Sequence, residues 1–144
     1  MIRTAESKDL AALTRLGLQL WPGHAFGQLQ AEFAALLADE NALLALWTEG
    51  GEPVGFVQCQ LRFDYVEGTQ SSPVGYLEGV FVRPEWRQKG LARALVQYGE
   101  GWARRKGCTE FASDCELTNT GSLRFHLKLG FAEANRIICF HKKL

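Results

Sequence analysis

Apolar residues at Leu10, Leu13, Leu16 and Leu20 recur at helical spacing and end at Pro22. The pattern predicts an amphipathic helix, preceded by a short strand over residues 1–4 and opened by Ser7 as N-cap. A second helix is predicted over residues 29–38, with Phe33, Leu36 and Leu37 on its buried side. Two strand-like runs, residues 43–48 and 54–63, flank Gly50-Gly51, the signature of a hairpin. Residues 64–73 are polar and loop-like, and residues 76–82 form a strand closed by Pro84. Leu91, Leu95, Tyr98 and Trp102 share one side of a helix over residues 90–105. A short strand at 110–113, a helix at 122–129 and a final strand at 137–141 complete the chain. This order of elements predicts an α/β fold of the α+β type, a mixed central sheet covered by helices.

Composition narrows the function classes. Lysine plus arginine and aspartate plus glutamate each number 16, so the formal charge is zero. No electrostatic reason exists for general nucleic-acid or membrane binding. Glu6 and Asp9 interrupt the N-terminus where a secretion signal needs an apolar run. Cys59, Cys108, Cys115 and Cys139 form no CxxC pair and lie beside no histidine cluster, so no metal is expected. They read as reduced residues filling core or near-core space. One domain over residues 1–144, cytoplasmic and soluble, is the expectation.

The most informative stretch is Val82-Arg83-Pro84-Glu85-Trp86-Arg87-Gln88-Lys89-Gly90-Leu91-Ala92. A strand ends, a basic turn follows, and a helix begins at Gly90. Helix N-termini present unpaired N–H groups and a positive dipole end, so this turn suits a pyrophosphate. Arg-x-x-Gly-x-Ala alone is a common pattern, equally compatible with an ordinary helix start. No GKS or GKT follows, and the third glycine of a dinucleotide fingerprint is missing.

With Val82-Arg83-Pro84 before it, and Asn119, Ser122, His126 and Gly130-Phe131 downstream, the segment resembles the two signatures of GNAT N-acetyltransferases. The resemblance covers essentially the whole chain. It implies a GNAT fold, split in a V between strands 4 and 5, with helices on both faces and acetyl-CoA in the split. Val80, Phe81 and Val82 would then contact the pantetheine. Arg87, Gln88, Lys89, Gly90, Leu91 and Ala92 would bind the pyrophosphate, and Asn119 would lie near the thiol end. Gly79 is compatible with the family's bulge, which aims backbone groups at the acetyl carbonyl. His126 stands where many members carry a tyrosine that protonates the departing thiolate. It reads equally as a helix histidine facing the sheet.

A second layer of similarity is to aminoglycoside 6'-N-acetyltransferases. It is carried by Leu20-Trp21-Pro22-Gly23-His24, Asp64-Tyr65-Val66, Ser71-Ser72-Pro73, Tyr76 to Val82, and Ala112-Ser113-Asp114. It implies a polycationic aminoglycoside acceptor, with Trp21 and Tyr65 as walls and Glu78 and Asp114 as substrate-binding and catalytic carboxylates, together with His126. It also implies a homodimer, for which the apolar residues of the final strand, Ile137, Ile138 and Phe140, offer an interface. Asp64, Glu67, Glu116 and Glu133 add to an expected acidic side, opposite a basic side of Arg83, Arg87, Lys89 and Arg93, although Glu67 and Glu116 read first as solvated surface charges. A carboxylate favours the ammonium form of an amine, so these groups read mainly as anchors and water-orienters. The alternatives are a GNAT enzyme for another small amine or a protein N-terminus, and a non-catalytic acyl-CoA-binding module.

Overall fold

The computed structural model describes residues 1–144. Strand β1 (Ile2–Thr4) leads through a 3-10 turn at Ser7–Asp9 into α1 (Leu10–Leu20). Glu6, not Ser7, caps this entry. Its backbone N–H donates to Asp9 Oδ2 at 2.8 Å, and Arg3 forks onto the same carboxylate at 2.6 and 2.7 Å. The aspartate is buried yet fully partnered, as a buried charge must be. Helix α2 (Phe26–Leu37) begins three residues before its predicted start, because the apolar pattern marks only the turns that bury a face. Leu29 and Phe33 form the buried face of α2, against Leu13 and Leu16 of α1, while Leu36 and Leu37 are only partly buried.

Strands β2 (Ala42–Glu49) and β3 (Glu52–Arg62) form the expected hairpin. Gly50 and Gly51 take φ of 56° and 86°, the two left-handed positions of a tight hairpin turn. Strand β4 (Val74–Val82) adds antiparallel to β3, and β5 (Phe111–Ser113) adds parallel to β4. Helix α3 (Leu91–Arg105) crosses between them, and α4 (Thr120–Lys128) follows β5. The sheet order is β1-β2-β3-β4-β5.

Alternation along β2 sends Leu44 and Leu46 to one face and Leu43 and Ala45 to the other. The first pair packs with Phe56, Phe81 and the apolar sides of α1 and α2. The second packs with Val57, Cys59, Leu77 and the α3 residues Leu91, Leu95, Val96 and Trp102. Helices therefore cover both faces. Strand β5 pairs β4 only from Gly75 to Leu77, while β4 runs on to Val82. The sheet opens beyond Leu77 and Ser113, which is the split expected between strands 4 and 5.

Two expectations are corrected. Residues 137–141 form no strand: the chain from Phe131 onward has no regular structure, and Ile138 and Phe140 are 80% and 89% exposed. Their composition favours extended backbone, but a strand also needs a partner, and the outer edge of β5 pairs with nothing. The cysteines also divide. Cys59 and Cys108 are buried, whereas Cys115 and Cys139 are exposed.

Candidate active site

The basic turn has the geometry of an anion cradle. After a 3-10 turn at Pro84–Trp86, Gln88 and Gly90 adopt φ of 61° and 81°. A turn containing such left-handed residues can gather successive N–H groups into an anion-binding concavity. Helix α3 then starts at Leu91 with no side-chain cap, so its first N–H groups stay available. A side chain added at Gly90 would meet nothing within 4 Å, so open space lies over the turn. The Leu91 side chain is buried in the core and offers only backbone here, while Ala92 packs at the core's margin. Arg87 is not a loose phosphate clamp. Its Nε donates to the Val82 carbonyl at 2.8 Å, with the guanidinium 5.4 Å from the Phe81 ring, fastening the turn to β4. Lys89 lies over the Trp86 ring at 4.5 Å.

Strand alternation sets what faces the split. The Arg83 N–H bonds Val54 toward β3, whereas the Val82 carbonyl points away, toward Arg87. Val80 shares the orientation of Val82, so its backbone faces the split while Phe81 is tied to β3. The strand register slips between Gln58 and Cys59: Gln58 pairs Gly79, Cys59 pairs Leu77, and Glu78 is the extra residue. This bulge lies where the sequence indicated one. Gly79 is required there for space: a Cβ would lie 2.6 Å from Trp21 Cζ2.

The same bulge turns Glu78 onto the α1/α2 side of the sheet. There a cleft of about 270 Å³ is lined by Trp21, His24, Glu32, Phe33, Gln58 and Glu78, among others. Trp21 ends α1 and packs against Phe33 and Phe56, with ring centroids 6.4 and 6.0 Å away. Tyr65 is not part of this cleft. It is 76% exposed and lines a separate recess of about 500 Å³ with Phe63, Asp64 and Ser71. The two aromatic walls expected from sequence thus border different depressions.

Glu78 is not a free carboxylate. Arg62 holds it with Nη2 at 2.9 and 3.0 Å and Nε at 3.2 Å. The same guanidinium stacks on the Tyr76 ring, 3.4 Å from its centroid. The Tyr76 hydroxyl donates a short hydrogen bond to Asp114, and burial followed by this bond raises the phenol well above its ordinary range. Asp114 itself, just past β5, is exposed. Glu67 and Glu133 pair with Asn135 and Arg136, so they brace the C-terminal segment.

Helix α4 carries the remaining candidates. Asn119 caps it, accepting from the Ser122 N–H at 3.1 Å. His126 Nδ1 lies 2.7 Å from the Ser122 carbonyl, which assigns the proton to Nδ1 in the neutral ring. Nε2 lies 2.8 Å from the Ser113 hydroxyl oxygen, which also lies 3.3 Å from the Leu77 carbonyl. His126 therefore sits at the apex of the split, bonded to the last residue of β5. No group of three or more His, Cys, Asp or Glu side chains is placed to hold a metal.

Arg62, His24, Glu32 and Gln58 escaped the sequence reading as site residues. The available signal was the polar stripe Gln58, Gln60, Arg62 on a strand whose intervening residues are apolar. Without the bulge at Glu78, its meeting with Arg62 had no counterpart in any periodicity.

Comparisons with known proteins agree with this geometry. The profile of the acetyltransferase (GNAT) family matches residues 10–131. An aminoglycoside N(6')-acetyltransferase type 1 of Acinetobacter baumannii is 43% identical over 144 residues, covering 99% of this chain and 96% of the relative. One of Stenotrophomonas maltophilia is 41% identical over 143 residues, covering 99% and 93%. The solved structure of AAC(6')-Iy with the bisubstrate analogue CoA-S-monomethyl-acetylneamine superposes with a TM-score of 0.96 at 38% identity, covering 100% of this chain and 98% of that one. A 6'-N-acetyltransferase from Acinetobacter haemolyticus gives 0.95 at 37% identity, covering 100% and 99%. The chain belongs to the GNAT acetyltransferase family.

Proposed function

We propose that the protein transfers the acetyl group of acetyl-CoA to the 6'-amine of aminoglycoside antibiotics, a reaction that would confer resistance. The observation that carries this reading is the double use of β4. Its split-facing edge leads into the anion cradle, while its bulge sends Glu78 into the Trp21 cleft on the opposite side. Donor and acceptor thus meet across one strand, the arrangement that direct transfer in a ternary complex requires. The relatives named above act on, or are bound to analogues of, this substrate class.

In this reading the N–H groups at the start of α3 and the Gln88–Gly90 turn hold the pyrophosphate. The Val80 backbone orients the pantetheine and polarises the carbonyl under attack. Trp21 and Tyr65 contact sugar rings, Asp114 holds an ammonium group, and Glu78, already paired with Arg62, orients water beside the acceptor. His126, hydrogen-bonded to Ser113 at the apex, supplies the proton to the leaving thiolate when its ring is doubly protonated: Nε2 gives its proton to the Ser113 hydroxyl, which passes its own to the sulfur. Asn119 fixes α4 beside it. The whole chain acts as one domain in the cytoplasm, where acetyl-CoA is found, and no helix is long and apolar enough to cross a membrane. We also propose a homodimer, supported by the exposed Ile137, Ile138 and Phe140 and by the unpaired edge of β5.

Thiol release with acetyl-CoA and paired drugs, one bearing a 6'-amine and its congener a 6'-hydroxyl, tests the activity. Turnover only with the amine is expected. Equal turnover of both would reject the 6' assignment. Turnover of spermidine or a protein N-terminal peptide, but of neither drug, would reject the substrate class.

A further inference from the structure

We propose that Arg62 is a specificity-determining residue. Its guanidinium, locked on Glu78 and stacked on Tyr76, cancels one carboxylate charge of the acceptor cleft and leaves Glu32 and Asp114 as the carboxylates without a basic partner that meet the substrate's ammonium groups. The inference rests on the polycationic acceptor proposed above.

The case begins at the bulge. Extra residue Glu78 is turned onto the face that also carries Gln58, Gln60, Arg62 and Tyr76. Arg62 lies at the end of β3, opposite Val74, and its side chain runs back along the sheet to reach Glu78. A planar guanidinium held at its edge by a carboxylate fork and at its face by an aromatic ring is fixed in position and direction. Three donor contacts occupy both Glu78 oxygens, at 2.9 to 3.2 Å. Asp114 differs: it is met by the neutral Tyr76 hydroxyl, and no lysine or arginine pairs with it. The two carboxylates thus offer different things to a cation. Glu78 with Arg62 is a neutral unit, while Asp114 has no basic side chain paired with it.

A neutral pair has a signature that a catalytic base or a structural bridge lacks: breaking it from either side shifts cation binding in opposite directions. Arg62→Gln uncovers the negative charge of Glu78 beside the cleft. Glu78→Gln uncovers the positive charge of Arg62. Arg62→Gln/Glu78→Gln restores neutrality with two amides of similar shape.

Calorimetric binding of tobramycin and of the less highly charged kanamycin to the coenzyme-free protein reads this directly. Arg62→Gln should tighten binding roughly 3- to 10-fold, and Glu78→Gln should weaken it by a similar factor, as for one unit charge near a solvated surface. The double variant should return to within about 3-fold of the wild type, and both single effects should shrink with added salt and be larger for tobramycin. Acetyl-CoA affinity, measured separately, should not move. Shifts of the same sign in both single variants, or a double variant as weak as Glu78→Gln, would overturn the proposal and leave Arg62 a structural bridge. If the wild type binds acetyl-CoA but neither drug, the acceptor reading fails, and the role of Arg62 with it.

Discussion

Asp114 is held by the Tyr76 hydroxyl on one carboxylate oxygen and faces solvent otherwise. If it anchors a substrate ammonium, Asp114→Asn keeps the shape and removes the charge. A hydrogen bond to a charged group contributes about 1.5–3 kcal/mol, so kcat/KM for the drug should fall ~10- to 100-fold, with acetyl-CoA affinity unchanged. Steady-state kinetics with each substrate varied in turn reads both quantities; full activity towards every aminoglycoside would dismiss the assignment. A different aspartate governs stability. Asp9 is buried, and its bonds from Arg3, then from the Glu6 N–H, hold its carboxyl below the ordinary carboxylate range. A depressed folded pKa means the stabilisation is complete above the unfolded value and is lost as pH falls through the folded one. Asp9→Asn should therefore destabilise by about 1–2 kcal/mol at pH 7 and by much less near pH 2. Urea unfolding at the two pH values measures the difference, and an equal loss at both would show that the bridge contributes nothing ionic.

Among the elements, the two glycines of the candidate site act through different physics. Gly90 has φ of 81° with open space above it, so any side chain there strains the turn and enters the region proposed for phosphate. Gly90→Val should weaken acetyl-CoA binding several-fold to tens-fold in a folded protein; unchanged calorimetric affinity would place the pyrophosphate elsewhere. Gly79 has no such backbone demand but lies beneath Trp21. Gly79→Ala should push the indole aside, destabilise by about 1–3 kcal/mol, and raise KM for the drug more than for acetyl-CoA. An unaltered KM for both would show that Trp21 is core alone. These contrasts mark how far the sequence was readable. The cradle was legible because its parts are neighbours in the chain: Pro84 ends a strand, Gly90 opens a helix, and the basic residues lie between. The hairpin was legible through Gly50-Gly51 for the same reason. The Arg62–Glu78–Tyr76–Asp114 contacts were not, since they join β3, β4 and the end of β5 through a one-residue slip in register. The resemblance gives Trp21 and Tyr65 as walls for sugar rings, and loop packing, which no periodicity encodes, sets Tyr65 over a recess separate from the Trp21 cleft.

The molecule as a whole leaves one feature without a partner in its own chain. From Phe131 onward the backbone has no regular structure, although its residues favour strands, and Ile137, Ile138 and Phe140 are 66%, 80% and 89% exposed. Beside this, β5 is a three-residue edge strand with one side unpaired. An exposed apolar segment and an open sheet edge are both liabilities for a monomer in water, and each is relieved by contact with a second copy. The sequence suggested the final strand because composition reports what a segment tolerates; it does not report whether the pairing partner belongs to the same chain. One bond ties the root of this segment to the body of the protein, Asn135 to Glu67 at 2.8 Å, while Arg136 pairs with Glu133 within the segment. That favours one defined interface over random association. Light scattering at micromolar concentration should therefore give about twice the 16.1 kDa chain mass. Ile138→Asp/Phe140→Asp, which places two charges on the most exposed apolar positions, should return the mass to that of one chain while far-ultraviolet circular dichroism shows the fold retained. A wild-type mass of 16.1 kDa across the concentration range would reject the dimer. A charged variant that still sediments as a dimer would move the interface away from the C-terminal segment.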